Sequence, residues 1–204
     1  MGDGMTTKSR LQVGIDVPWV TSWSEEAVLG VRPCPTVGGQ LAVHQAERPG
    51  YGRPNYSKNH LNRQRLSVLN MLCPMCGAPT VEGDRWTQTA SLAPAGVLRA
   101  RGLGHLLPPA AQLPDARVVM NAGSISPSHR TCVDRAAQHC PHLGAMEDQT
   151  IRPFPERWVL APLWIEASPP PPAVGRTVAV VSFIQLCGLT DETEPKWRRG
   201  LRRP

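Results

Sequence analysis

Between Lys58 and Leu72 the apolar residues Leu61, Leu66, Val68, Leu69 and Leu72 recur at separations of three, four and seven. That is the period of one face of a helix, so the pattern predicts a helix running directly into Cys73. Pro127 and Ser128 introduce a second helix, which carries Cys132, Ala136, Ala137 and Cys140 and is stopped by Pro141. Trp86 with its neighbours and Arg117-Val-Val-Met-Asn read as short strands. Trp158-Val-Leu-Ala-Pro-Leu-Trp-Ile and Thr177-Val-Ala-Val-Val-Ser-Phe-Ile read as apolar strands. Ser168-Pro-Pro-Pro-Pro between them is a polyproline II spacer. Large aromatic residues usually bury, so Trp158, Trp164 and Phe183 are expected in the core. Near the N-terminus, Trp19, Val20 and Trp23 precede a short expected helix with Ser24 as N-cap and Glu25 and Glu26 in its first turn. The turn formers of Arg48–Tyr56 predict an extended loop, and Ala93–Pro114, without clear periodicity, reads as a mobile insertion.

Composition changes this picture in one respect. Twenty-two Pro and eighteen Gly among 204 residues, with 5% aromatic residues, give much loop and little core per residue. A staple such as a metal would help such a chain fold. The expected organisation is an N-terminal arm over residues 1–57, a zinc-binding core over 58–147 with its insertion at about 93–114, and C-terminal strands, proline spacer and basic tail over 148–204. No apolar run suits a secretory signal, so the expected location is intracellular, in the cytoplasm. The longest apolar stretch, Val178–Leu189, is interrupted by Ser182 and Gln185 and falls short of the roughly 20 residues that span a bilayer.

Six cysteines in a reducing compartment point to metal or burial rather than to disulfides. Cys73 and Cys76 lie in Leu-Cys-Pro-Met-Cys-Gly, where Gly77 permits a tight thiolate turn. His129 and Cys132 lie in Pro-Ser-His-Arg-Thr-Cys at the expected helix start. Three thiolates and an imidazole are a donor set that tetrahedral zinc prefers. A Cys-x2-Cys turn, a hairpin and a ligand pair opening a helix are the parts of a treble clef, so the expected fold is a small α+β, treble-clef-like domain held by structural Zn2+, with Pro/Gly-rich irregular arms. Two other readings of the cysteines stand beside it: small buried hydrophobes and a thioredoxin-like redox pair. Cys34 and Cys187 read as bystanders, while Cys140 and His142 are possible substitute ligands.

The segments Arg63-Gln-Arg, Leu72-Cys-Pro-Met-Cys-Gly and Pro127-Ser-His-Arg-Thr-Cys-Val-Asp-Arg-Ala-Ala-Gln-His-Cys-Pro-His-Leu resemble a family of uncharacterised bacterial and bacteriophage-associated zinc-binding proteins. Its members carry a Cys-x-x-Cys-Gly turn and a His-x-x-Cys helix ending in Cys-Pro-Phe/His-Leu. The resemblance covers roughly residues 60–145 and implies that Cys73, Cys76, His129 and Cys132 act as a unit. It implies no activity.

Charge adds a candidate partner. From Arg48 to Leu72 the basic residues Arg48, Arg53, Lys58, Arg63 and Arg65 occur with no acidic one, interleaved with Tyr51 and Tyr56. The tail Lys196-Trp-Arg-Arg-Gly-Leu-Arg-Arg adds five more to a chain whose net charge is +6, so positive charge is concentrated. Concentrated Lys/Arg beside aromatic rings suits DNA or RNA. The expected function is therefore a non-enzymatic zinc protein that binds nucleic acid or another acidic macromolecule. One alternative is a phage-type structural or protein-interaction module with a protein partner. The other is an HNH-like metal-dependent nuclease, for which His105 and Asn121 are the candidates.

Overall fold

The computed structural model describes residues 7–107, 113–139, 151–168 and 175–190. The expected helix stop at Pro141, the substitute ligands Cys140 and His142, the proline run and the basic tail lie outside them. The chain contains both helices and strands, as an α+β class requires, and divides into two compact units, Met1–Pro79 with Pro162–Ile184 and Thr80–Ala161 with Gln185–Pro204.

In the first unit, β1 (Thr21–Trp23) pairs antiparallel with β4 (Pro54–Asn59) across a bulge. The strands β2 (Val28–Pro33) and β3 (Leu41–Gln45) form a hairpin. Its turn is a single 3-10 segment, Pro35–Val37, ended by Gly38 at φ 65, a left-handed conformation open to glycine at no steric cost. On its other side β3 runs parallel to the start of β10 (Val178–Leu189), with Ala42 opposite Val181. Val31, Val43 and Val180 bury together, and Leu61 of helix α1 (Leu61–Leu69) packs on them.

The buried face of α1 differs from the periodic one. Arg63, Gln64, Arg65, Ser67 and Val68 are buried. Each polar member has bonds that offset much of the cost of burial, although the Nε atoms of Arg63 and Arg65 are buried without a hydrogen-bond partner. Gln64 bonds twice to the backbone of Ile184, donating to its carbonyl at 2.7 Å and accepting from its N–H at 3.1 Å. Arg65 donates to the carbonyls of Ser182 and Val43 and to Asn62 Oδ1. Arg63 forks onto both carboxylate oxygens of Glu26, at 2.7 and 2.8 Å, and reaches the Thr21 carbonyl. Glu26 also accepts from the backbone N–H groups of Trp23 and Arg48. This pair explains why the expected Ser24–Glu26 helix does not form: Thr21–Trp23 is a strand, Glu26 turns inward, and Ser24 Oγ accepts from Arg53 N–H instead.

His60 caps α1, its Nδ1 accepting from Arg63 N–H while Nε2 meets the Ala46 carbonyl at 2.9 Å. The second ring nitrogen therefore carries the proton. Burial, reinforced by the Arg63 charge, holds its pKa below the ordinary 6.5.

In the second unit, β6 (Ser91–Pro94) pairs antiparallel with β7 (Val118–Gly123), and β7 with the end of β10. A two-residue strand, β5 (Trp86–Thr87), pairs with β8 (Arg152–Pro153). Helix α3 (Arg130–His139) follows β7, and β9 (Arg157–Ala167) pairs with β10. Of the segment expected to be a mobile insertion, residues 93–107 and 113–114 are described, and these are instead built into this unit. Pro94 leads into helix α2 (Ala95–Ala100), a 3-10 turn covers Gly104–Leu106, and Ala95, Leu98, Leu106, Leu107 and Leu113 bury with Val119, Ala161 and Cys187. Its periodicity is hidden because two short helical pieces, not one long one, present the leucines. Arg99 ties the segment together, pairing with Asp115 and donating to the Leu113 carbonyl. Among the expected core aromatics Trp164 is 44% exposed, on the outer face of β9. No helix among the described residues is long and apolar enough to cross a membrane.

The inward charge can be probed at both of its partners. Arg63→Met strands the Glu26 carboxylate and should lower unfolding free energy by about 3 to 5 kcal/mol, measured by urea titration. His60 has a depressed pKa in the folded state, so its contribution is intact above pH 6.5. It falls away as the pH drops below that value, because the unfolded chain then binds a proton that the folded one refuses. His60→Asn keeps an N-cap acceptor, and between pH 7.5 and 5 its stability should fall less steeply than wild type.

Candidate metal centre

The end of α1 is shaped to deliver a thiolate turn. After Asn70 the chain takes φ 49 at Met71, a left-handed value rare outside glycine. Leu72 N–H returns to the Ser67 carbonyl, and Ser67 Oγ donates to the Leu72 carbonyl. Cys73 N–H then donates to the Ala78 carbonyl at 2.7 Å and Gly77 N–H to the Cys73 carbonyl at 2.8 Å, which closes the Cys73–Cys76 loop. Gly77 sits at φ 80, where an added Cβ would meet the Trp19 indole at 2.9 Å. The N-terminal arm is bound along this loop: Trp19 N–H donates to the Met75 carbonyl at 2.8 Å and Val20 N–H to that of Pro74 at 3.1 Å. The sequence placed Trp19 only ahead of an expected short helix; here its ring covers the glycine of the turn.

The second pair of donors stands at the start of α3. Ser128 and Trp86 exchange backbone hydrogen bonds, each 2.8 Å, which fixes the strand leading to His129. Asp84, distant in sequence, supplies the helix cap: its Oδ1 accepts from Arg130 N–H at 2.8 Å. Arg130 also lies over the Trp86 ring, 4.9 Å from its centre. Cys132 and Val133 face inward, and Cys132 Sγ is 4.0 Å from His129 Nδ1.

The ligand atoms of Cys73, Cys76, His129 and Cys132 all lie within 4.8 Å of one another. A tetrahedral ion with bonds of about 2.3 Å to sulfur has ligand-to-ligand edges of roughly 3.8 Å, so a small contraction would complete its first shell. Cys73 and Cys132 are buried, Cys76 and His129 half-buried. The four residues can hold a metal ion, and the sequence reading assembled the same four. Among the described residues no second group of three or more His, Cys, Asp or Glu is gathered in this way.

The basic stretch is divided by the fold. Arg48 and Arg53 are exposed, with Arg48 lying over the Tyr51 ring at 5.1 Å, and Tyr56 and Lys58 project from β4 with Tyr56 65% exposed. Arg63 and Arg65 are 4% and 0% exposed. They were expected at the nucleic-acid interface; their guanidinium groups are spent on Glu26 and on strand carbonyls, so neither can reach a phosphate. Lys8, which sequence reasoning passed over, is exposed and bridges antiparallel to Tyr51. Of the hydrolytic candidates, His105 Nε2 meets Gln185 Oε1 at 3.3 Å and Asn121 Oδ1 accepts from Gly123 N–H.

The chain matches no family model, no curated protein and no solved structure.

Gly77→Ala should destabilise the protein by more than the roughly 1 to 3 kcal/mol of a non-glycine residue in the left-handed region, because its Cβ also collides with Trp19. A thermal melt of the variant should fall well below wild type, and an unchanged melt would show that Trp19 does not seal the turn.

Proposed function

We propose that this protein is a non-enzymatic zinc protein that binds nucleic acid. The observation that carries the first half is the convergence of three thiols and one imidazole within 4.8 Å. This soft N/S set selects zinc over oxygen-seeking cations. All four positions come from the chain, so the ion is structural, with no place kept for water or substrate. The Cys73–Cys76 turn, the antiparallel pair β6 and β7, and the ligand-bearing start of α3 support a treble-clef-like assembly.

The nucleic-acid half rests on Lys8, Arg48, Arg53 and Lys58 with Tyr51 and Tyr56. Cations in contact with phosphates gain from counterion release, and exposed rings stack on bases without regard to sequence. Tyr56 and Lys58, two residues apart on one strand, share a face. A hydrolytic role has less support. His129 is taken as a ligand, and the His105 ring and the Asn121 carboxamide each have local partners. A second reading, a protein-interaction module, is favoured by one observation, the exposed Leu160, Trp164 and Ile165 of β9.

Native mass spectrometry of protein prepared without chelator should find one zinc per wild-type chain and none in Cys132→Ser. Cys76→Ser should unfold readily, since structural zinc contributes roughly 10 to 16 kcal/mol in small finger domains. No zinc in the wild type would remove the metal reading. For the partner, log affinity for a single-stranded oligonucleotide should fall with log salt at a slope of roughly −3 for four phosphate contacts. Arg48→Glu with Lys58→Glu should weaken binding and flatten that slope. Affinity no better than that of a neutral protein at low salt would favour the interaction module.

A further inference from the structure

The four donors do not account for every charged group at the centre. Arg135 lies one helical turn beyond Cys132 on α3, and its Nη2 is 4.0 Å from Cys132 Sγ, donating toward the sulfur. Residues three apart on a helix share a face, so this approach is built into the sequence His-x2-Cys-x2-Arg, His129 to Arg135. A zinc ion with three thiolates and a neutral imidazole carries one surplus negative charge, which a half-buried site stabilises poorly. A guanidinium is the side chain suited to offset it, because it stays charged when buried and hydrogen-bonds through several N–H groups.

Resting on the metal reading above, we propose that Arg135 is a positioning residue of the centre: it donates to the Cys132 thiolate and offsets the surplus charge. The ion's first shell then belongs to Cys73, Cys76, His129 and Cys132, and Arg135 sets how firmly Cys132 holds it. Groups that contact metal ligands in this way usually change metal affinity when removed. The neighbouring arginine on the same helix is committed elsewhere, because Arg130 is engaged by Asp134, its Nε 3.1 Å from the carboxylate, and by Trp86.

The test uses the full chain, titrated with Zn2+ against a chelator of known affinity and, separately, with Co2+ followed by absorption. Arg135→Met should bind zinc roughly 10- to 100-fold more weakly than wild type, and Arg135→Lys should recover part of the loss. The thiolate-to-cobalt band of Arg135→Met should move to longer wavelength, because a thiolate that loses a donor gives up its electron more easily. A merely structural arginine would not move that band. Wild-type affinity and an unmoved band in Arg135→Met overturn the proposal. If that variant does not fold, Arg135→Lys and Arg135→Gln decide. Weaker binding by the Gln variant supports the role of charge, and equal binding overturns it. A wild-type chain that takes up neither ion overturns the metal reading itself, an outcome separate from failure of Arg135 alone.

Discussion

Everything in the first unit depends on one constraint: a helix that turns arginines and a glutamine inward must satisfy each of them. A buried guanidinium without a carboxylate or carbonyls would cost more than an apolar side chain in its place. Here the partners are backbone carbonyls of β1, β3 and β10, together with the carboxylate of Glu26. Those bonds hold α1 in one register against the strands, since sliding it by one residue would break all of them at once. Gln64 makes the case most plainly, because its amide engages both the carbonyl and the N–H of Ile184. The fixed register in turn settles where α1 ends. The positive φ at Met71 and the return of Leu72 to Ser67 then place Cys73.

The legible part of this chain was the part governed by short-range spacing. Cys-x2-Cys before a glycine and His-x2-Cys at a helix start are local chemistry, and the four donors are gathered as that spacing implied. The strands β7, β9 and β10, and the helices α1 and α3, also lie close to where the apolar runs and the Pro127-Ser128 helix start put them. What misled was the rule that charge faces water. The leucines of α1 marked its place, yet the helix ends at Leu69 and does not run directly into Cys73, and its buried side also carries Arg63, Gln64 and Arg65. No hydrophobic period reports a polar residue whose partner is more than one hundred positions away. Glu26 was read as an N-terminal helix charge for the same reason: its true partner, Arg63, is far along the chain. In the 93–114 segment, short α2 and a separate 3-10 turn carry buried leucines without filling one helical window.

Burial of the arginines also changes which cations of this stretch face solvent. Charge counted along a sequence treats every arginine as available to a phosphate, whereas an arginine inside a protein is there because something else neutralises or accepts it. Without Arg63 and Arg65, the exposed cations of this stretch are Arg48, Arg53 and Lys58. Lys8 joins them through a strand bridge to Tyr51, whose ring also lies under Arg48. Arg48 and Tyr51 meet there in space and not only in sequence.

Burial alone does not separate a ligand cysteine from a core cysteine. Cys34, Cys73, Cys132 and Cys187 are all buried. Cys187 packs among Leu98, Leu106 and Val119, and burial pushes its thiol up to about 12, so it behaves as a small hydrophobe and not as a thiolate. Cys34 packs with Ala42 and Val181. Cys73 and Cys132 differ in the groups around them: each stands among other donors, Cys73 on the turn that follows α1 and Cys132 at the start of α3. A thiol reaches the metal-binding form when a cation offsets the loss of its proton, and among the described residues the gathered four are placed to share one cation. The same residue type therefore meets opposite surroundings at different places in one chain, apolar at Cys187 and donor-rich at Cys73 and Cys132.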